Sequence, residues 1–292
     1  MKDAVRLAVY FAAVIVLGAL IAPILFWVAQ ALAQHGYLTF LAQFDFEVFF
    51  HRALLVSAIV LLWPLFRAIG VRRLSDLGLR TNKHRWRDVG GGFLAALLPL
   101  GLCGSILIVA HVYSVRPSIA WGSLGRTIGA AIVVPWVEEA FFRGLILGIL
   151  LRVGRKYLAI GLTSAFYSVV HFLKAVEGTS PDVTWTSGFQ SIANSFTQFS
   201  NPMLLVAGFT TLFLIGWILA DARIRTASLW LPIGLHAGWI LGNGVFNRIA
   251  RRQMLLLPWL GKNLLVGLIP LAVVCITWVI IRYFWPTRES SV

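Results

Sequence analysis

Ile132-Val133-Val134-Pro135-Trp136-Val137-Glu138-Glu139-Ala140-Phe141-Phe142-Arg143-Gly144-Leu145 reads as a membrane span with three charges inside it. A charge at the centre of a bilayer costs roughly 2.5–3.5 kcal/mol even on lenient insertion scales. Glu139 and Arg143 are four residues apart, so on a helix they share a face and can pair. Glu138 is turned about 100° from Glu139 and has no partner nearby in sequence. One reading makes the trio a buried polar staple between helices. The other makes Glu138 functional, which is the default for an ionisable residue at membrane depth.

The surrounding chain supports the membrane reading. Of 292 residues, 59% are hydrophobic and 12% charged, with a mean hydropathy of +0.84, whereas soluble domains carry about 25% charged residues. Apolar runs of spanning length fall at about 5–33, 48–70, 90–113, 126–151, 157–176, 202–222, 226–246 and 263–285. A span needs about 20 residues, so an all-α polytopic protein of about eight transmembrane helices is expected, as one integral membrane domain over 1–292. The short connection between runs six and seven predicts an antiparallel hairpin. Residues 1–89 are expected to be a two-helix extension with a basic cytoplasmic loop, and 247–292 to supply a C-terminal helix. The first run ends in Ala31-Leu32-Ala33, like a signal-peptide cleavage site, but its apolar core exceeds the length of a signal h-region and reads as an uncleaved anchor. Cys103 and Cys275 lie within apolar runs and offer no disulfide framework.

The net charge of +14 would suggest nucleic acid if the basic residues formed a patch. They lie instead in loops between apolar runs, so no nucleic-acid partner is expected; the partners are the lipid bilayer and whatever it holds. With the N-terminus inside, sixteen Lys and Arg fall on cytoplasmic segments and seven on outside loops. Both termini are therefore expected inside, in a bacterial cytoplasmic (inner) membrane. The loop 247–262, with four basic residues, breaks the rule locally and must be held by something else, or the last helix is misplaced. The polar stretch 178–201 carries Phe189, Ile192, Phe196 and Phe199 at spacings of three and four, which predicts a short helix lying on the bilayer surface or a lid over a site.

Two histidines sit at membrane depth, His171 on the fifth run and His236 on the seventh, while His35, His51, His84 and His111 fall in loops or near helix ends. A lone buried histidine is usually a satisfied core residue. Two on different helices, with an unpaired glutamate on a third, make a better case for one site. HExxH, HxxEH and GxSxG patterns are absent. Ser164 and Ser168 beside His171 are expected to bond back to their own helix. A carboxylate and two imidazoles can hold a divalent metal such as zinc with an open position for water. They can equally let the glutamate deprotonate water directly. Either route makes a hydroxide-like nucleophile suited to amide hydrolysis in a membrane.

Taken together, Glu138-Glu139-Ala140-Phe141-Phe142-Arg143, Tyr167-Ser168-Val169-Val170-His171 and His236-Ala237-Gly238-Trp239-Ile240 resemble the EExxxR, FxxxH and HxxxN motifs of the CPBP intramembrane proteases. That family includes the CAAX prenyl endopeptidases and the abortive-infection-like proteins. The resemblance covers about residues 90–246, as a CAAX-protease-like helical core. It implies Glu138 as the water-activating base or a metal ligand, His171 as its assistant at the same water, and His236 as oxyanion stabiliser. A metal, if any, would sit on those three residues. Glu139 and Arg143 would be a positioning pair, and Tyr167 stands where the family has phenylalanine. Ile240 replaces the expected asparagine and cannot donate a hydrogen bond. Asn243 could supply the donor only if its helix is distorted, since it lies seven residues from His236, roughly 10 Å along the axis.

The resemblance implies an intramembrane endopeptidase acting on a membrane-embedded or membrane-associated protein or peptide. The change at Ile240 motivates an alternative, a weak or inactive relative serving as a membrane peptide-binding scaffold. A proton-coupled transporter is a third reading, because mid-membrane carboxylates and histidines also build proton relays.

Overall fold

The computed structural model describes residues 2–119, 121–152, 154–172, 182–253, 257–261 and 263–288. Residues 173–176 of the expected fifth span, the start of the 178–201 stretch, Lys262 and the tail 289–292 lie outside the described residues. In chain order the helices are α1 (Lys2–Gln34), α2 (Phe46–Ile69), α3 (Arg85–Val109), α4 (Leu124–Glu139), α5 (Leu147–Leu151), α6 (Lys156–Phe172), α7 (Ser187–Ser195), α8 (Pro202–Leu204), α9 (Thr210–Thr226), α10 (Trp230–Ile249) and α11 (Leu268–Phe284). A π-helical segment, Ala140–Ile146, joins α4 to α5, and a second, Leu205–Phe209, joins α8 to α9. Two three-residue strands, β1 (Tyr113–Val115) and β2 (Ala250–Arg252), and 3-10 turns at Thr39–Gln43, Leu74–Leu77, Trp121–Ser123 and Phe196–Ser200 complete the described elements.

The protein is an all-α membrane protein. Among the described residues, four stretches are long and apolar enough to cross a bilayer: Lys2–Gln34, Phe46–Ile69, Arg85–Val109 and Leu205–Thr226. Their outer faces are what a lipid solvent demands. On α3, Leu94, Leu98, Leu102 and Ile106 recur every four residues and are all exposed. Such a continuous apolar stripe would drive aggregation in water; against acyl chains it costs nothing.

The chain divides into two compact units, Met1–Arg72 with Leu173–Ser200, and Arg73–Phe172 with Asn201–Val292. In the first, α1 and α2 pack closely where Gly18 meets Leu54, and the Tyr10 hydroxyl donates to the Ala58 carbonyl at 3.0 Å. Gly70 closes α2 in the left-handed conformation, its N–H bonding the Phe66 carbonyl.

Helix α7 begins the expected short helix and leaves its phenylalanine side exposed. It buries its small face, Ser187, Gly188, Ser191 and Ser195. Ser191 Oγ donates to the buried Glu47 at 3.0 Å, and Gly188 packs on the Ala19 backbone. Phe189 and Phe196 point outward, and Ile192 joins the Ala22, Phe46, Phe50 and Ala53 cluster. Membrane proteins can invert the soluble pattern in this way, because small residues let backbones meet and hydroxyls bond across helices.

The second unit is built on the α3–α10 seam. A Cβ on Gly234 would stand 2.1 Å from the Val89 carbonyl oxygen, on Gly238 2.4 Å from that of Phe93, and on Gly92 2.8 Å from that of Leu231. Only glycine allows this approach at those positions. The expected hairpin is present as α9 and α10, joined by three residues with Ala227 left-handed. The basic 247–262 segment is held by pairing: β2 runs antiparallel to β1, with Ser114 opposite Arg251, and the Arg116 N–H bonds the Ile249 carbonyl at 2.7 Å.

The seam yields a prediction. Gly234→Ala forces a methyl into the Val89 backbone, so the two helices must part; overpacking of this kind costs about 1–3 kcal/mol. Thermal unfolding in detergent should show the loss, and an unchanged midpoint would deny the seam its role.

Candidate active site

Helix α4 delivers Glu138 and Glu139 at its last turn, and the backbone then changes pitch. Residues 140–146 are π-helical, not α-helical as the sequence suggests. One-turn π segments recur at functional sites because they re-aim side chains. The Glu139–Arg143 pair survives the change: Arg143 Nη1 donates to Glu139 Oε1 at 3.0 Å, with both side chains fully buried.

Arg143 is the hub of the site. Its Nη2 donates to the Gly216 carbonyl of α9 at 3.3 Å, and its guanidinium lies 4.4 Å over the Tyr167 ring of α6. Glu139 Oε1 accepts a second bond, from His236 Nδ1 of α10 at 2.8 Å. One buried ion pair thus ties α4, α6, α9 and α10 together.

The hydrogen bonds also fix which ring nitrogens are free. His171 Nδ1 lies 2.9 Å from the Tyr167 carbonyl oxygen, which can only accept, so Nδ1 carries the proton. His236 Nδ1 likewise donates to the Glu139 carboxylate. In the neutral rings both Nε2 atoms are left with lone pairs. They face the same atom: Glu138 Oε2 is 3.2 Å from His171 Nε2 and 3.8 Å from His236 Nε2.

Three acceptors therefore converge on one spot. Glu138 Oε2 is buried and makes no hydrogen bond of good geometry, despite its short distance to His171. Such a trio is stable only around a donor, whether a water, a proton or a cation. Access is available from one side, since the Glu138 and His171 side chains are about a quarter exposed (26% and 27%) while His236 is 7% exposed. Tyr167 packs under the group, its ring 4.1 Å from that of His171 and 6.4 Å from that of His236.

Each imidazole holds its remote N–H on a carboxylate or carbonyl, as metal-bound histidines do, so the donor types suit a divalent ion. The spacing does not: among the described residues no group of three or more His, Cys, Asp or Glu is placed to hold one.

Of the residues singled out in the sequence, the structure brings together Glu138, Glu139, Arg143, Tyr167, His171 and His236. It does not bring Asn243 to them. Helix α10 is unbroken from Trp230 to Ile249, so the distortion that Asn243 requires is missing, and its side chain bonds Asn247 instead, at 3.4 Å. Ser164 and Ser168 bond back to the Ile160 and Ser164 carbonyls, as their helical setting predicts. One residue escaped notice: Trp239, 1% exposed and one turn from His236, has an indole N–H with no partner among the described residues. A tryptophan in an apolar run gives no signal in sequence; only its burial without an acceptor marks it.

Residues 120–241 match the model of a family described as type II CAAX prenyl endopeptidase, Rce1-like, a span that holds all three motifs. No curated protein and no solved structure matches the chain.

The hub and the base should separate in stability measurements. Arg143→Ala strands the buried Glu139 charge and should cost about 3–5 kcal/mol. Glu138→Gln, at a partly exposed side chain, should leave thermal unfolding in detergent within about 0.5 kcal/mol of the parent.

Proposed function

We propose that this integral membrane protein, which carries an Rce1-like type II CAAX prenyl endopeptidase segment over residues 120–241, hydrolyses a peptide bond of a membrane-associated protein or peptide by glutamate-activated water. The observation that carries the reading is the convergence of Glu138 Oε2, His171 Nε2 and His236 Nε2 on one partly accessible spot.

A water held there donates one hydrogen to Glu138 and the other to His171. Glu138 takes the first proton as the oxygen attacks the scissile carbonyl carbon. The new C–O bond forms, and the carbonyl oxygen becomes an oxyanion. Collapse of the intermediate breaks the C–N bond, and the proton on Glu138 passes to the departing amine. A positioned base of this kind contributes about 10²–10⁴ in rate. His236 can donate to the oxyanion from Nε2 once it has taken a proton, since its Nδ1–H is committed to Glu139. Glu139 and Arg143 act through their partners: they fix the His236 ring and the end of α4.

The remote N–H of each histidine is bonded as in metal-bound histidines, but the spacing of Glu138, His171 and His236 does not suit a divalent ion, so the direct-water route is proposed over a metal-bound one. Metal analysis of the purified protein separates the two. The location in a bacterial cytoplasmic membrane with both termini inside rests on the distribution of Lys and Arg.

In liposomes carrying wild-type protein and a membrane-anchored peptide library, cleavage should be abolished by Glu138→Gln and reduced by about 10² or more in His171→Ala. Full activity of Glu138→Gln would defeat the proposal. Ile240→Asn adds a donor one turn from His236 and should raise the turnover number, by up to about 10²-fold. Inactivity of both the parent and Ile240→Asn would leave the scaffold reading in its place.

A further inference from the structure

One cavity of the second unit lies away from the carboxylate–imidazole cluster. It is a groove of about 1070 Å³ between α3 and α11, lined by Leu94, Leu98, Leu102, Ile106, Ile276 and Ile280 among others. Its floor is the contact of the two helices, where Thr277 Oγ1 donates to the Ala95 carbonyl at 3.3 Å and the Trp285 ring packs over Gly91. From Arg87 to Leu107 it follows α3 for twenty residues, about 30 Å at 1.5 Å per residue, the depth of a hydrocarbon core.

The lining is apolar except at one end, where Arg87 stands. Arg87 is exposed and has no ion-pair partner among the described residues. The adjacent acid does not compensate it. Asp88 is fully buried and saturated by Arg288, at 2.6 Å to each oxygen, and by the Trp285 indole N–H at 2.9 Å. Just before Arg87 a polar depression of about 440 Å³ is lined by Lys83, Arg85 and Trp86 among others, with Trp86 exposed and the Arg85 guanidinium stacked on it. At the groove's own end Arg87 stands with Phe284 and Trp285, a cation with aromatic neighbours of the kind favoured at a membrane interface. The rest is hydrocarbon-lined.

We propose that this groove holds a resident anionic phospholipid, its phosphate on Arg87 and its acyl chains along α3 and α11. The volume favours a lipid over a helix. A spanning helix about 10 Å wide and 30 Å long occupies roughly 2,400 Å³, more than twice the space, whereas small-molecule sites run to about 1,000 Å³. The charge favours an anionic headgroup over a zwitterionic one, because guanidinium binds phosphate bidentately and a neighbouring ammonium would compete for it.

The test is native mass spectrometry of the full chain released from nanodiscs of equimolar phosphatidylglycerol and phosphatidylcholine. The wild type should retain phosphatidylglycerol over phosphatidylcholine by roughly fivefold, the worth of one basic residue at an anionic surface. Arg87→Ala should lose the headgroup preference and keep chain binding. Ala272→Trp, which fills the groove, should reduce retention of both lipids. Equal retention by the wild type, or an unchanged preference in Arg87→Ala, would overturn the proposal. Cys103 lines the groove, so a Cys103–Cys103 disulfide between two chains in the bilayer would place a second copy there and overturn it too.

Discussion

The Glu139–Arg143 ion pair is the constraint on which the second unit depends. Placing two charges in a hydrocarbon-like interior is costly, and the attraction between them repays this only when their remaining hydrogen-bonding capacity is also used. Here Arg143 bonds an α9 carbonyl and covers the Tyr167 ring of α6, while Glu139 holds His236 of α10. The pair is thus a weak argument for stability and a strong one for geometry. Each partner it recruits comes from a different helix, so these contacts form together in only one packing, with Glu139 Oε2 and Arg143 Nε left unpartnered among the described residues. Breaking it leaves a buried charge with nowhere to go.

The glycine seam performs the complementary task. Lipid tails give helices no hydrophobic reason to associate, so packing and polar contacts must do the work. Gly92, Gly234 and Gly238 bring the α3 and α10 backbones into contact, and His236 lies between two of those glycines on α10. The close approach sets the height of the histidine, and the bond to Glu139 sets its rotation. Position and orientation are fixed by separate devices, which is how a site on helices can be held within a fraction of an ångström.

Much of this was legible in the sequence because the bilayer limits the choices. Charges at membrane depth are conspicuous, so Glu138, Glu139, Arg143, His171 and His236 stood out against their apolar runs. The spacing of four between Glu139 and Arg143 announced a pair. What stayed hidden depends on backbone pitch and on inversion of the usual burial rule. The π segment at 140–146 leaves no mark in Ala140-Phe141-Phe142-Arg143, since the extra residue per turn is absorbed by tertiary contacts. The phenylalanine face of the 178–201 stretch was legible, and it is exposed, but the packing of the opposite face was not: Glu47 and the Ala19 backbone needed its serine and glycine. The β1–β2 ribbon was hidden for another reason. Three-residue strands fall below any periodicity, and only the structure shows that the basic residues Arg251 and Arg252 are held by pairing with β1.

The cluster also bears on the missing asparagine at position 240. In the proposed reaction its three acceptors, one carboxylate oxygen and two ring nitrogens, would activate water but do nothing for an oxyanion until one of them gains a proton. Catalysis by differential stabilisation needs a donor aimed where charge develops. Among the described residues, two buried side-chain N–H groups on the motif helices lack acceptors, Arg143 Nε and Trp239 Nε1. An unsatisfied buried donor costs about 1–3 kcal/mol, a cost removed when an acceptor arrives. Trp239 lies three residues from His236, one helical turn along the same side of α10, adjoining the position where Ile240 has replaced a donor. Under the proposed hydrolysis, a hydrogen bond withheld in the resting protein and made only as charge develops would lower the barrier without tightening the ground state.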